Sequence, residues 1–183
     1  MPVLDYILPI DKPVPWGEIA TLDNAQIWGF KPGENRIYPF GFGVAKGGAD
    51  GIIKIPTAKT DLFYGVVRNA DIYERRTGYS VTTQGYDGIP AKEVVPVIRG
   101  SGPGVVIAVP LSQQVAESDP VFWQVIDSTT NTAALAGTFR KDSDGTSPNE
   151  RAIQLTYARW YRSSGAIAAN TLGTGLLELR MPN

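Results

Sequence analysis

From Pro39 onward the chain gathers its apolar residues into short runs fenced by Gly, Pro or Asp, and none carries a sustained helical stripe. That pattern reads as β-strands joined by tight turns, because a helix needs an apolar face recurring about every 3.6 residues. Candidate strands cover residues 42–46, 52–55, 62–69, 93–99, 105–109, 121–126, 138–141, 153–161 and 176–181. Val, Ile, Tyr and Phe dominate them, as a pleated, half-buried surface prefers. Between them stand turn sequences such as Gly47-Gly48-Ala49-Asp50-Gly51, Gly100-Ser101-Gly102-Pro103-Gly104 and Asp142-Ser143-Asp144-Gly145. Residues 127–136 read as a polar loop at the tip of a hairpin, and only residues 18–25 and 111–118 could form short helical turns. Many short strands at such spacing predict a mainly β fold, an antiparallel β-barrel or sandwich.

Residues 1–35 read differently. Pro2, Pro9, Pro13, Pro15 and Pro32 recur there. Lys12-Pro13-Val14-Pro15 holds an extended backbone, since proline fixes its own φ and keeps the preceding residue out of the helical region. Yet Trp16, Ile19, Leu22, Ile27, Trp28 and Phe30 are too apolar for a simple disordered tail. An extended segment with bulky anchors needs a surface to lie on, either its own domain or a neighbouring subunit. The expected organisation is an extended N-terminal arm over residues 1–35 and a β-barrel or sandwich domain over 36–183. Those six apolar residues are the partner-binding candidates.

Composition removes whole classes of chemistry. The chain has neither Cys nor His, which excludes disulfides, thiolate zinc sites and every mechanism that turns on an imidazole. Its 17 basic and 18 acidic residues nearly cancel, leaving no basic excess to neutralise phosphates, so no nucleic acid is expected as a partner. No apolar run approaches the roughly 20 residues needed to cross a bilayer, and Met1 to Ile10 lacks the basic start of a secretory signal. No membrane partner is expected, and the reading is of a soluble protein made in the cytosol.

Local motifs fare no better as catalytic sites. The glycines of residues 99–104 lead into Val105-Val106-Ile107 with no lysine among them, which fits a turn between strands rather than a phosphate loop. Asp142-Ser143-Asp144-Gly145 lacks the remaining ligands of a calcium loop and reads as an Asx turn. Asp71 and Glu74 could pair as acid and base, but beside Arg75 and Arg76 they read as a solvated ion-pair cluster. The aromatic residues, among them Trp123, Trp160, Tyr64 and Tyr86, could stack on sugars, although rings in β proteins more often fill cores and interfaces. The expectation is a protein that is not an enzyme, with no catalytic residue, no cofactor and no metal.

The order of motifs also carries a family resemblance. Pro39-Phe40-Gly41, Lys54-Ile55-Pro56-Thr57-Ala58 and Phe63-Tyr64-Gly65-Val66 occur in that order. They are followed by Val95-Pro96-Val97-Ile98-Arg99-Gly100, Asp119-Pro120-Val121, Gly137-Thr138-Phe139-Arg140 and a closing Gly-x-x-x-Leu strand from Gly175 to Leu179. The pattern, over roughly residues 37–181, resembles the structural cement, or decoration, proteins of tailed-bacteriophage capsids. Ser118 stands where that family usually has glycine before Asp-Pro. The resemblance implies a non-enzymatic homotrimer on the outer surface of the virion, made in the host cytoplasm. It would bind the major capsid protein at capsomer junctions and brace the head against internal DNA pressure. The alternative from the residues alone is a carbohydrate-binding β module on a virion or cell surface.

Overall fold

The computed structural model describes residues 15–20, 25–69, 80–100, 104–146 and 148–180. Among these there are fourteen strands and no helix. In chain order they are β1 (Ile27–Pro32), β2 (Tyr38–Pro39), β3 (Gly43–Lys46), β4 (Ile52–Lys54), β5 (Phe63–Val67), β6 (Ser80–Val81) and β7 (Asp87–Ile89). Next come β8 (Val95–Ile98), β9 (Val105–Leu111), β10 (Phe122–Gln124), β11 (Phe139–Arg140), β12 (Ala152–Gln154), β13 (Ala158–Trp160) and β14 (Gly173–Leu179).

Five strands close a barrel in the order β1-β4-β3-β5-β8. All its contacts are antiparallel except β1 with β4, where Lys31 and Pro32 face Ile52 and Ile53. Alternate residues of a strand point to opposite faces, so Phe30, Val44, Ile53, Val67, Val95 and Val97 fill one core. A small sheet, β2-β7-β6, adds Tyr38 and Ile89 to it. The Tyr38 hydroxyl donates to the Ile53 carbonyl at 3.1 Å, so the buried ring brings its polar tip to a partner.

The second body is a six-stranded sheet, β12-β10-β11-β9-β14-β13. Its spine is the β9–β14 ladder, seven paired residues long. Val105, Ile107, Val109 and Leu111 face a core with Trp123, Phe139, Trp160 and Leu177, while Val106 and Ala108 face the other way. The barrel contributes Ala45, Phe63, Val66 and Ile98 to that first core, so the two bodies share one apolar mass.

The sheet is curled. Residues 155–157 alone join β12 to β13, the strands at its two edges. From Gln154 to Ala158 the chain reaches at most about 14 Å, whereas a flat six-stranded sheet spans about 24 Å between its edges. The single strand expected over residues 153–161 is therefore two strands, with Leu155 and Tyr157 packed on the core as the chain crosses.

The strand expected to stop at Val109 runs on through Pro110 to Leu111. A proline inside a sheet removes a ladder donor, but here the vacancy falls harmlessly. The Ala108 amide points to the outer edge, donating to Glu18, and the Ser112 amide donates to Phe139. Pro110 lies at the gap between these two edge partners.

The described fold also moves the expected boundary at residue 35. β1 is a barrel strand, paired with β8 from Ile27↔Ile98 to Phe30↔Val95. Residues 17–20 run along β9, with Gly17 donating to Ala108 (2.8 Å) and Ala20 to Val106 (2.7 Å). Residues 15–20 and 25–35 thus belong to the folded body.

Candidate functional site

The partner-binding candidates separate into three groups. Phe30 is 7 % exposed and belongs to the barrel core. Trp16 and Ile19 dock on their own domain. Ile19 bridges Ile107 and packs against the shared core; the Trp16 indole donates to Thr174 Oγ1 at 2.9 Å, and its ring meets Tyr86 at 5.7 Å and Phe42 at 6.5 Å. Ile27 and Trp28 stay outside, 38 % and 54 % exposed. Leu22 lies outside the described residues, as do Asp71 and Glu74.

Two glycines allow this docking. Gly17 has φ +81°, and a Cβ there would stand 2.6 Å from the Asn69 nitrogen and the Val67 oxygen. Gly41 has φ +75°, and its Cβ would stand 2.6 Å from the Trp16 Cβ. The backbones cross where neither side chain nor ordinary φ is tolerated, and Asn69 donates to the Gly17 carbonyl at 3.0 Å. Gly17 is thereby bonded to both β9 and the segment after β5.

Exposed apolar side chains gather at the β1–β8 side of the barrel. Val94 is exposed, and its Cγ1 lies 3.0 Å from where a Gly29 Cβ would be, beside the strand that carries Ile27 and Trp28. Leu62, Ile126 and Tyr161 are also exposed. Sequence reasoning missed Val94, Leu62 and Ile126, because an apolar residue in a β run carries no local mark of which face lacks a neighbour.

A cleft of about 410 Å³ opens where the two sheets and the barrel meet. Phe42, Ile55, Val125 and Leu135 line it, with Arg36 and Arg151 among its polar residues. Arg151 donates through Nη1 to the Asp127 carbonyl at 2.6 Å, and the Asp127 carboxylate accepts from the Ala136 amide at 2.7 Å. Arg36 meets Glu34 at 3.8 Å. The cleft draws on segments far apart in the chain, so no sequence motif announces it.

The polar clusters are structural in geometry. Asp142 Oδ1 accepts from the Asp144 amide at 3.0 Å, the expected Asx turn. The buried Asp144 carboxylate accepts from Gln124, Ser128 and Arg140 at 2.6, 3.1 and 2.9 Å, which occupies both oxygens. Burial raises the Asp142 carboxyl, but Gln113, the Asp144 amide and Arg140 outweigh it and hold it below the usual carboxylate range. Among the described residues no group of three or more acidic side chains is placed to hold a metal ion.

The rings proposed as a sugar platform are mostly engaged. Trp123 and Trp160 are fully buried, Tyr86 meets Trp16 and Phe42, and the Arg99 guanidinium lies 4.5 Å over Tyr64. Burial pushes the Tyr157 hydroxyl up to about 12. Trp28 and Tyr161 remain exposed, one on the barrel and one after the last strand but one of the curled sheet.

The family model described as structural cement protein (E217 gp24/Pam3 gp6) matches residues 15–180. A chain in the solved structure of the capsid of Myoviridae Phage XM1 superposes with a TM-score of 0.59 at 19 % identity, covering 98 % of each chain; at that identity the likeness speaks for the fold. No curated protein matches the sequence.

Proposed function

The chain belongs to the phage structural cement protein family, and from that membership we propose that it is a non-enzymatic decoration protein of a tailed-phage head. It binds the outer surface of the assembled shell at capsomer junctions, contacts the major capsid protein, and stabilises the head against internal DNA pressure. It acts as a homotrimer, a closed symmetry that suits three-fold lattice positions and covers short strand edges. Synthesis takes place in the host cytoplasm.

The observation that carries this reading is the family match across residues 15–180. Apolar side chains left outside a filled core support it, since Ile27, Trp28 and Val94 together offer a patch on one side of the barrel. Large aromatic side chains make effective anchors when a partner pocket desolvates them. With residues 15–20 and 27–32 built into the body, the arm reduces to residues 1–14, whose Pro-spaced apolar sequence suits an extended segment lying on a neighbouring subunit.

The test mixes purified protein with undecorated heads and counts copies bound at saturation. Saturation at a multiple of three per head, with DNA release shifted to higher temperature, is the expected result. Binding that never saturates, or decorated heads no more heat-resistant than bare ones, would sink the proposal. Removing residues 1–14 should abolish binding if the arm is the tether.

A further inference from the structure

We infer that the cleft where the barrel meets the two sheets is a binding site for an acidic saccharide, a sugar that carries one carboxylate among several hydroxyls. Arg36 and Arg151 take the carboxylate, Asp127 and Thr57 bond the hydroxyls, and the apolar wall backs the ring.

Size and lining set the class of ligand. A space of about 410 Å³ falls within the roughly 300–1,000 Å³ of sites that take small molecules. Phe42, Ile55 and Leu135 form an apolar wall, and polar side chains stand around it. A sugar ring needs both, because its C–H face is apolar while its rim carries hydroxyls.

The cations of the cleft have capacity to spare. Arg36 meets Glu34 at 3.8 Å, beyond hydrogen-bond reach. Arg151 spends Nη1 on the Asp127 carbonyl at 2.6 Å and has no carboxylate partner among the described residues. A guanidinium is best matched by a carboxylate, which it can hold through two parallel bonds.

Asp127 decides what else the ligand must carry. Its Oδ1 accepts from the Ala136 amide at 2.7 Å, which leaves Oδ2 as an acceptor without a donor among the described residues. That oxygen repels a bare anion such as phosphate, and an aliphatic acid offers it no donor. A sugar hydroxyl satisfies it. Thr57 adds a hydroxyl and Gln84 a side-chain amide, and both stand on turns that are tied down. The Thr57 amide donates to Asp61 at 2.7 Å. The turn carrying Gln84 is closed by the Gly85 amide on the Thr82 carbonyl at 2.9 Å and by the Tyr86 amide on Thr82 Oγ1 at 3.0 Å. A backbone fixed before the ligand arrives lowers the ordering cost of binding.

A single shallow site of this kind binds weakly, but many copies on one surface gain avidity for a repeating polysaccharide. That consequence rests on the decoration reading above; the site itself does not.

The test titrates the full chain, labelled with nitrogen-15, with galacturonic, glucuronic and N-acetylneuraminic acids, and separately with galactose, glucose and inorganic phosphate. Saturable binding of at least one sugar acid, one per chain, is expected to shift the Gln84 side-chain amide resonances. Galactose and glucose should bind at least tenfold more weakly, and phosphate should not compete. Arg36→Gln, which breaks no hydrogen bond printed by the fold's own geometry, should weaken the sugar acid about tenfold. Arg162→Gln, at an exposed residue after β13, should leave it unchanged.

Silence toward all three acids, equal binding of the neutral sugars, or binding undiminished by Arg36→Gln overturns the proposal. Displacement by phosphate also overturns it, by reducing the cleft to a general anion site. No phage head enters the assay, so each of these failures leaves the decoration reading standing.

Discussion

At the scale of single residues, Asp61 shows how a sequence motif is held in shape. Its carboxylate pairs with Lys54 at 2.6 Å and accepts from the amides of Thr57 and Ala58 at 2.7 and 3.0 Å. Lys54-Ile55-Pro56-Thr57-Ala58, one of the family motifs, thus closes onto a residue three positions beyond its end. Burial raises the Asp61 carboxyl, but Lys54 and the two amides outweigh it and leave it below its ordinary value. A carboxyl depressed in the folded state stabilises above its unfolded value, near 4, and that contribution fades as pH falls through the lower folded value. Asp61→Asn should therefore cost about 1–3 kcal/mol at neutral pH, read from urea midpoints. The gap between the two proteins should narrow below pH 4; a gap constant across that range would show that the charge is immaterial. The motif was legible as a strand and turn in the sequence. Its fastener was not, because an aspartate in a turn looks the same whether it meets solvent or a lysine.

At the scale of elements, β9 was readable and its edge was not. The β-branched apolar run Val105 to Val109 marks a strand, but nothing in Trp16-Gly17-Glu18-Ile19-Ala20 does, since this segment borrows its ladder from β9. β1 was missed for a related reason: Ile27 to Pro32 sits in a proline-spaced stretch, contains Gly29, and gains its place only by closing the barrel. No strand was expected at Asp87-Gly88-Ile89, yet Gly88 is in β7, where a Cβ would stand 2.5 Å from the Tyr38 carbonyl oxygen. Composition at these places reports a close backbone approach, which sequence alone cannot distinguish from a bend. If residues 17–20 are a true edge strand, the Gly17 and Ala20 amides should exchange with deuterium as slowly as those of β9. Gly17→Ala should expose them and lower stability by about 3 kcal/mol, through a left-handed φ and a backbone clash together. Gly48→Ala is the control, because a Cβ there meets nothing within 4 Å. Rapid exchange at Gly17 and Ala20 in the parent protein would remove the strand from the account.

At the scale of the whole molecule, barrel and curled sheet share no strand ladder and are joined in packing. Phe63 makes the joint. It sits on β5 of the barrel, yet its ring meets Trp123 at 5.0 Å and Phe139 and Tyr157 at 6.2 Å, all in the curled-sheet core. The mainly β class and the repeated strand–turn order could be read from the runs of residues 42–181. The division into two bodies could not, since Phe63 and Val67 look alike in sequence but face different cores. Because Phe63 of the barrel is packed into the curled-sheet core, neither body can lose its packing without disturbing the other. The two bodies should therefore unfold together, and the tryptophans report on it: Trp123 and Trp160 lie in the sheet core, whereas far-UV dichroism senses both bodies. In the parent protein the fluorescence and dichroism transitions should coincide. Phe63→Ala should cost about 3–5 kcal/mol, as truncation of a buried aromatic does, and should move both transitions by the same amount. If dichroism shifts while tryptophan fluorescence keeps its midpoint, the barrel melts alone, and the two bodies are neighbours rather than one folding unit.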